Sequence, residues 1–277
     1  MCLAVVALDV HADWPLIVIA NRDEFHARPS AAMQPWHETP CLLAGRDLQA
    51  GGTWLGITTA GTFGLLTNVR DPANLKSDAP SRGVLVENFL KDSLKPNTYL
   101  TGLEPNAANY NGFNLIVGNL EGLWHASNYQ LPFSSKLTAG VHGLSNALLD
   151  TDWPKTTRVV SRVRAYLAST DEMSPASLSA IMHDRCVAPD QDLPQTGLPL
   201  ERERLLSSPF IVSPTYGTRC TTIVLRDRHG RYWTQEETFD QQGMSVSRVR
   251  WQQLDSGRWG QTQAGPGNLN TSVSANT

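Results

Sequence analysis

The N-terminal stretch decides the fold: Met1-Cys2-Leu3-Ala4-Val5-Val6-Ala7-Leu8 is followed closely by Leu16-Ile17-Val18-Ile19-Ala20. Both runs are apolar and rich in β-branched residues, and the segment between them contains Asp13 and Pro15, which favour a turn. The pattern predicts an antiparallel hairpin. Its second strand continues directly into Asn21-Arg22-Asp23-Glu24. Because a hairpin returns the end of its second strand to the start of its first, this polar run should lie beside Cys2.

Cys2 is a candidate nucleophile because of its place in the chain. If Met1 is removed, Cys2 carries a free α-amine with a pKa of roughly 8, beside a thiol with a pKa of roughly 8.5. These values suit proton transfer near neutral pH, so the amine can serve as the base for the thiol. The alternative is that Cys2 is a small buried hydrophobic residue on a core strand.

Composition limits the classes of protein to consider. The chain has 277 residues, of which 40% are hydrophobic and 18% charged, and its net charge is -3. These values fit a packed domain and give no indication of nucleic-acid or anionic-membrane binding. The four cysteines are far apart, the N-terminus does not read as a signal peptide, and no apolar run could span a membrane. We therefore expect a cytoplasmic protein without an integral membrane segment, structural metal or cofactor.

The order of predicted elements favours an α+β fold with antiparallel sheets. Hairpins come first, two groups of helices follow, and hairpins return near the C-terminus, without the alternation that parallel sheets require. Residues 25–40 read as irregular because they are rich in Pro, His, Ala and Trp. Residues 1–255 are expected to form a single domain, and residues 256–277 a disordered tail, since that segment offers little to bury.

Other chemical interpretations compete with Cys2. Gly143-Leu144-Ser145-Asn146-Ala147 is close to a nucleophile elbow, which would make Ser145 the nucleophile of an α/β-hydrolase, although the flanking strand and helix signals are weak. The glycine pair Gly51-Gly52 lacks the lysine and spacing of a phosphate-binding loop, so we interpret it as a tight turn that lets two backbones approach. The scattered histidines do not match a metal motif. The eight tryptophans would also suit a non-catalytic binding protein.

Several motifs, in order along the chain, carry a resemblance to a known family. They include Met1-Cys2-Leu3-Ala4-Val5-Val6, Asn21-Arg22-Asp23-Glu24-Phe25, Leu43-Ala44-Gly45-Arg46-Asp47, Gly51-Gly52-Thr53-Trp54-Leu55-Gly56, Leu66-Thr67-Asn68-Val69-Arg70-Asp71-Pro72, Asn111-Gly112-Phe113-Asn114-Leu115, Gly143-Leu144-Ser145-Asn146-Ala147-Leu148-Leu149 and Tyr216-Gly217-Thr218-Arg219. Together they resemble the NRDE family, also called the transport-and-Golgi-organisation family. The resemblance implies an N-terminal-nucleophile hydrolase fold, a four-layer αββα sandwich. For eukaryotic relatives it implies roles in Golgi organisation and secretion, haem movement, and lipid or acyl-CoA metabolism.

A more distant likeness, to cysteine-type N-terminal-nucleophile amidases, implies a set of site residues. Cys2 is similar to their nucleophile, Asn68 and Asn146 to their oxyanion-side asparagines, and Arg219 to their late active-site arginine. Those amidases space an arginine and an aspartate three residues apart, whereas Arg22 and Asp23 are adjacent here. Adjacent strand residues point to opposite faces, so the sequence leaves open whether Arg22 and Glu24 or Asn21 and Asp23 face Cys2.

The function expected from these residues is hydrolysis of a C–N amide bond in a small acylated substrate. Cys2 would attack the carbonyl, Asp23 would orient the α-amine, and Arg22 or Arg219 would favour the thiolate. Asn68 and Asn146 would hold the oxyanion. The alternative on the same fold is a non-catalytic carrier of haem, an acyl chain or acyl-CoA.

Overall fold

A computed structural model describes residues 2–92, 94–170 and 172–266 of the chain. The N-terminal half contains strands and two helices: β1 (Cys2–Leu8), β2 (Leu16–Phe25), β3 (Ser30–Trp36), β4 (Thr39–Asp47), β5 (Leu55–Thr58), β6 (Phe63–Asn68), α1 (Gly83–Lys91), α2 (Pro96–Leu103), β7 (Phe113–Asn119) and β8 (Gly122–Ser127). The remainder contains β9 (Ser134–Lys136), β10 (Gly140–Leu144), α3 (Pro154–Ser169), α4 (Pro175–Met182), α5 (Leu200–Leu206), β11 (Tyr216–Arg226), β12 (Tyr232–Phe239), β13 (Ser245–Gln253) and β14 (Trp259–Gln261).

The strands form two antiparallel sheets. In the described part of the chain, the first sheet has the order β10-β1-β2-β11-β12-β13-β14, and the second runs β3-β4-β5-β6-β7-β8-β9. The N-terminal hairpin is confirmed, with Cys2 paired to Arg22 and Val5 to Ile19. On its other side β2 pairs with β11, where Cys220 is opposite Arg22. The predicted site residues of β2 therefore lie inside the first sheet, away from its edges.

Alternating side chains of the strands build three apolar layers. Ala4, Val6 and Val18 face the second sheet and pack against residues such as Leu43 and Leu55. The alternate residues of the first sheet face helices, as Val5 and Ile19 do against Val159 of α3. The outer face of the second sheet packs against α1 and α2. This period-two burial produces the expected four-layer αββα sandwich with antiparallel sheets, which is confirmed.

The expectation that residues 25–40 are irregular is wrong. This segment holds β3 and the start of β4. Met33 and Trp36 of β3 are buried, and the Met33 amide donates a hydrogen bond to Glu236 Oε1 over 2.7 Å. Pro35 obscured the strand pattern, but β3 is the edge of its sheet, where a proline is tolerated because one side needs no ladder donor.

The predicted boundary of the tail also requires correction. Residues 259–261 form β14, which pairs with β13, so the ordered domain continues beyond residue 255. Trp259 is buried in the core between the sheets, and its indole donates to the Cys41 carbonyl over 2.8 Å. The remaining part of the predicted tail, residues 267–277, lies outside the described residues. In the described helices, no segment is long and apolar enough to cross a membrane.

Candidate active site

The polar end of β2 places its side chains on both faces of the first sheet. Asn21 and Asp23 face the helical layer, whereas Arg22 faces the second sheet. Asn21 is fully committed to structure: its amide donates to the carbonyls of Met182 and Pro209, each over 2.9 Å, and it accepts from Thr221 over 2.6 Å. Asn21 therefore ties β2 to the end of α4 and to the loop before β11, and fixes the strand on which its two neighbours are presented.

The strand register determines whether Arg22 and Glu24 or Asn21 and Asp23 share a face of the sheet with position 2. Cys2 pairs directly with Arg22, and directly opposed positions of antiparallel strands belong to the same face of a sheet. Position 2 therefore belongs with Arg22 and Glu24, and Asp23 lies one residue beyond the pair, on the opposite face. Met1 and the side chain of Cys2 lie outside the described part of the molecule.

Arg22 is held in a nearly dry setting between the sheets. Its side chain is only 5% exposed, its guanidinium carbon lies 4.3 Å from the centre of the Trp54 ring, and Nη2 is 3.7 Å from Asp47 Oδ2. Nη1 is buried and makes no hydrogen bond to any described residue. A guanidinium cannot lose its proton at ordinary pH, so Arg22 supplies a fixed positive charge with one donor that no described residue accepts.

Asp23 lies in a buried cluster of charges on the helical side of β2. Thr218 donates a hydrogen bond to Asp23 Oδ1 over 2.7 Å. Burial raises the pKa of Asp23, and the positive charges of Lys155 and Arg70 act against that rise. Lys155 is itself buried in the first turn of α3. The sequence did not point to Lys155, because a lysine after the proline of a helix start looks like an ordinary solvent-facing residue.

The two predicted oxyanion asparagines meet at the end of β6. The Asn146 amide donates to the Asn68 carbonyl over 2.9 Å, and the Asn146 carbonyl accepts from the Arg70 amide over 2.7 Å. Asn146 is buried. No hydrogen bond joins the Asn68 side chain to the described residues, so its amide is open to a ligand. The structure therefore brings the pair together, with Asn146 supporting the backbone that presents Asn68.

A hydrogen-bonded pair shapes the loop that carries Asn146. Asp150 has φ of 58°, accepts from the Gly143 amide over 2.7 Å, and contacts His142 Nδ1 over 2.8 Å. The hydrogen bonds to Asp150 and to the Thr138 carbonyl raise the pKa of His142. Residues 145–153, all described, form a loop between β10 and α3. The strand–turn–helix that a nucleophile elbow requires is therefore not built around Ser145.

Burial and the nearby charge of Arg22 lower the pKa of Arg219, so it lies near this group, although its hydrogen bonds are made elsewhere. It sits at a register shift in the pairing of β11 with β2, between Thr218 and Cys220. Its Nη1 donates to the carbonyls of Phe25, His26 and Arg28, at 3.0, 3.3 and 3.1 Å. Arg219 therefore holds the turn that follows β2, and this is the contact that the structure assigns to it.

Arg22, Asp23 and Asn68 line a shared cavity of about 490 Å³, called here the Arg22 cavity. Its wall is mostly polar, and it includes the start of α1. The described lining residues are Arg22, Asp23, Glu24, Arg28, Asp47, Gln49, Ala50, Thr53, Trp54, Leu66, Asn68, Ser77, Ala79, Pro80, Ser81, Arg82, Gly83 and Asn111. Asn146 instead lines a separate cavity of about 510 Å³, together with Arg70 and Trp153. Asn146 thus supports the Arg22 cavity through its hydrogen bond to the Asn68 carbonyl.

Comparison with known proteins places this chain in a family. Residues 1–241 match the family described as Transport and Golgi organisation 2. This chain belongs to that family. It is 34% identical over 232 residues to the Transport and Golgi organization 2 homolog of Mus musculus, covering 78% of this chain and 83% of the relative. It is 27% identical over 246 residues to Transport and Golgi organization protein 2 of Drosophila melanogaster, covering 81% and 86%. The expected family resemblance is confirmed.

Two solved structures are similar to this family member at low sequence identity. A Caenorhabditis elegans N-acylethanolamine-hydrolyzing acid amidase ortholog has 10% identity and a TM-score of 0.40, covering 81% of this chain and 92% of that one. The C2A mutant of the conjugated bile acid hydrolase from Clostridium perfringens has 8% identity and a TM-score of 0.48, covering 89% and 92%.

Proposed function

We propose that this protein is an N-terminal-cysteine amidohydrolase that cleaves the C–N amide bond of a small acylated substrate. The observation that carries the proposal is the pairing of Cys2 with Arg22. It brings the start of the chain to the polar end of β2, beside a cavity lined by Arg22, Asp23 and Asn68. A terminal thiol, a fixed cation, a carboxylate and an amide donor are the groups that acyl transfer to cysteine requires.

The proposed reaction has two halves. After removal of Met1, the Cys2 thiol gives its proton to its own α-amine, and the thiolate attacks the substrate carbonyl. As the C–N bond breaks, that proton passes to the leaving amine and a thioester remains. Water then attacks the thioester with the α-amine as base, releasing the carboxylic acid and regenerating the thiol.

The surrounding residues have distinct proposed roles. Asp23 lies one residue past the Cys2–Arg22 pair, where its carboxylate would hold the α-amine, and Lys155 favours its charged form. Arg22 would favour the thiolate through its positive charge. Asn68 would donate to the oxyanion, with Asn146 as its positioning residue. Arg219 would position the turn after β2 and would not touch substrate.

The cavity wall favours a polar substrate over haem. Its described lining contains arginines, carboxylates and serines, with apolar contributions such as Trp54 and Leu66. Histidine, methionine, cysteine and tyrosine, the side chains that commonly ligate haem iron, do not occur among those described lining residues. We therefore prefer the hydrolase to a haem carrier as the working proposal.

Intact mass and thiol labelling test the proposal. We expect the purified protein to lack Met1 and Cys2 to react with iodoacetamide at pH 7 faster than Cys41, Cys186 and Cys220, because an adjacent amine and Arg22 favour the thiolate. Cys41 and Cys186 are exposed and serve as internal controls for access, and Cys220 is the buried comparison. A mature protein that keeps Met1, or a Cys2 less reactive than Cys41, would contradict the proposal and favour a carrier.

A further inference from the structure

We infer that the molecule bound in the Arg22 cavity carries an anionic group, such as a carboxylate, held by Arg28 and Arg82 at the first turn of α1. This inference deepens the proposed function, because it rests on the same cavity and names the class of substrate. The preferred substrate is then an amide that also carries a carboxylate, such as an N-acyl amino acid, and not a neutral amide.

The acidic residues of the cavity wall are already engaged by protein donors. Asp47 Oδ1 accepts from the amides of Gln49 and Ala50, each over 3.0 Å, and Asp47 Oδ2 accepts from Arg28 Nε over 2.7 Å. Glu24 Oε1 accepts from the Phe25 amide over 2.8 Å. Burial alone would raise the pKa of Asp47, but these hydrogen bonds outweigh it and hold that pKa below its usual value. Asp47 is thus a stable anion committed to the scaffold.

Arg22 and Arg28, by contrast, keep donors that no described residue accepts. Arg22 Nη1 is buried without a hydrogen-bond partner in the described structure. Arg28 donates from Nε to Asp47 Oδ2. Its two terminal nitrogens make no hydrogen bond to the described residues. Arg82 lines the same cavity and is anchored by a hydrogen bond from Nη1 to the Gly112 carbonyl over 2.8 Å. Arg22 and Arg28 therefore offer donors at this wall, which a ligand rich in acceptors complements.

The first turn of α1 adds partial positive charge to the part of the cavity wall that holds Arg22 and Arg28. Ser81, Arg82 and Gly83 line the cavity, and α1 begins without a hydrogen bond from a capping side chain. The N-terminus of a helix carries partial positive charge and unpaired amides, which favour anions. Arg22 is buried, and its Nη1 has no acceptor among the described residues, so it adds a second donor that an acceptor on the ligand would complete.

The glycine pair explains how α1 comes to lie over the cavity. Gly52 has φ of 71°, and a Cβ at this residue would lie 2.5 Å from the Gly83 carbonyl carbon. The Thr53 amide donates to the Gly83 carbonyl over 3.2 Å. The close backbone approach that we expected from Gly51-Gly52 is therefore confirmed, and it fixes the start of α1 at the cavity wall.

Binding to the Cys2→Ala variant tests the inference without turnover. The probes are N-phenylacetylglycine and its neutral amide, N-phenylacetylglycinamide, which differ in charge but hardly in shape. We expect calorimetry at low salt to show the acid binding about tenfold or more tightly, since charge-assisted hydrogen bonds are the stronger ones. Adding Arg28→Gln or Arg82→Gln should weaken the acid about tenfold and leave the neutral probe within about twofold.

Arg46→Gln is the matched control. Arg46 precedes Asp47 on β4, but it stacks on Trp36, pairs with Glu38 and does not line the cavity. Equal affinities for the two probes, no detectable binding of either, or equal losses from Arg46→Gln and Arg28→Gln would overturn the inference. Charge-selective binding without hydrolysis by the wild-type protein would overturn the proposed function alone. Hydrolysis indifferent to charge would overturn the anionic-group inference alone.

Discussion

Arg22 and Asp23 are neighbours in the chain, yet the pleat of β2 sends them into different electrostatic environments. Arg22 lies between Trp54 and Asp47 in the space between the sheets. Asp23 lies among Thr218 and Lys155 on the helical side. Each charge would be costly to bury alone, and each has a compensating neighbour. The pleat therefore keeps a cation and a carboxylate from adjacent residues on opposite faces of the sheet, where the two do not neutralise each other.

Asn68 and Asn146 should respond differently to alanine substitution. Asn68→Ala removes a side chain that makes no hydrogen bond to the described residues, so we expect a melting temperature within about 2 °C of wild type and a turnover of N-phenylacetylglycine reduced about a hundredfold. Asn146→Ala removes a buried hydrogen bond and should also destabilise the protein by about 1–3 kcal/mol. Thermal unfolding and initial rates separate the two effects.

Asn74 provides the control for these variants. Its side-chain amide donates to the Asp71 carboxylate and, within the described residues, to no other acceptor, so Asn74→Ala should change neither quantity. If Asn68→Ala unfolds while Asn146→Ala remains stable, the proposed roles are wrong: Asn68 would then be the structural residue and Asn146 the candidate donor.

The sequence predicts part of this site for reasons that are clear at single residues. The hairpin pattern was sufficient to bring Cys2 to the end of β2. It could not choose between Arg22 and Asp23, because a slip of one residue in register exchanges the faces. The resemblance predicts Arg219 at the site, but Arg219 sits at an irregularity in strand pairing, and such irregularities leave no simple pattern in the sequence.

At the scale of elements, the turn before β5 determines where α1 begins. Gly51 and Gly52 both have positive φ, at 68° and 71°. They differ in their surroundings: a Cβ on Gly51 would meet nothing within 4 Å, whereas one on Gly52 would collide with the backbone of Gly83. A side chain at Gly51 would therefore meet only the strain of a positive φ. A side chain at Gly52 would meet the same strain and a steric clash with Gly83.

This difference gives a paired prediction. Gly51→Ala should cost about 1 kcal/mol of unfolding free energy, from the left-handed backbone alone. Gly52→Ala should cost about 1–3 kcal/mol more, since α1 must move, and should weaken binding of N-phenylacetylglycine to the Cys2→Ala protein. Urea unfolding and calorimetry measure these quantities. Equal losses of stability and affinity in the two variants would show that the start of α1 does not depend on Gly52.

The connection from β10 to α3 should make stability depend on pH through His142. Both of its ring nitrogens face acceptors, Asp150 Oδ2 and the Thr138 carbonyl, so the doubly protonated imidazolium fits best. The pKa of His142 is raised, so its stabilising contribution is complete below about pH 6.5, the unfolded value, and is lost as pH rises through the folded value. Hydrogen bonds hold the pKa of Asp150 low enough for it to stay charged in this window.

The measurement is the urea midpoint of wild type and His142→Gln between pH 5.5 and 9. We expect the wild type to be more stable at pH 5.5 and the gap to shrink toward pH 9. Comparing the two proteins cancels other histidines, such as His125, whose pKa burial lowers to about 4. A gap that is constant, or that widens as pH rises, would exclude this ion pair as the source.

At the scale of the whole molecule, the layers follow from patterns that the sequence displays, and the closing strand does not. Apolar alternation in β1 and β2, and helical spacing in α3, are visible in the chain and predict sheets covered by helices. Residues 256–266 contain one aromatic residue, Trp259, and their other residues are Gly, Gln, Ser, Thr, Arg, Ala and Pro. One apolar residue cannot form a periodic pattern that predicts a strand. The contribution of Trp259 to the core is therefore seen only from its position between the sheets.

Two truncations test this account of the C-terminus. Ending the chain after Asp255 removes Trp259 from the core, together with its hydrogen bond to Cys41 and the carbonyl of Ala264 that accepts from Trp233. Loss of a buried tryptophan costs about 3–5 kcal/mol, which for a domain of this size corresponds to a melting temperature lower by roughly 6–20 °C.

Ending the chain after Pro266 keeps these contacts, and the residues removed offer Leu269 and Val273 as their large apolar side chains. That truncation should leave the melting temperature within about 1 °C, and Trp259→Ala in the full chain should reproduce most of the loss seen after Asp255. If both truncations melt together with the wild type, β14 does not contribute to the core, and the fold is complete at residue 255.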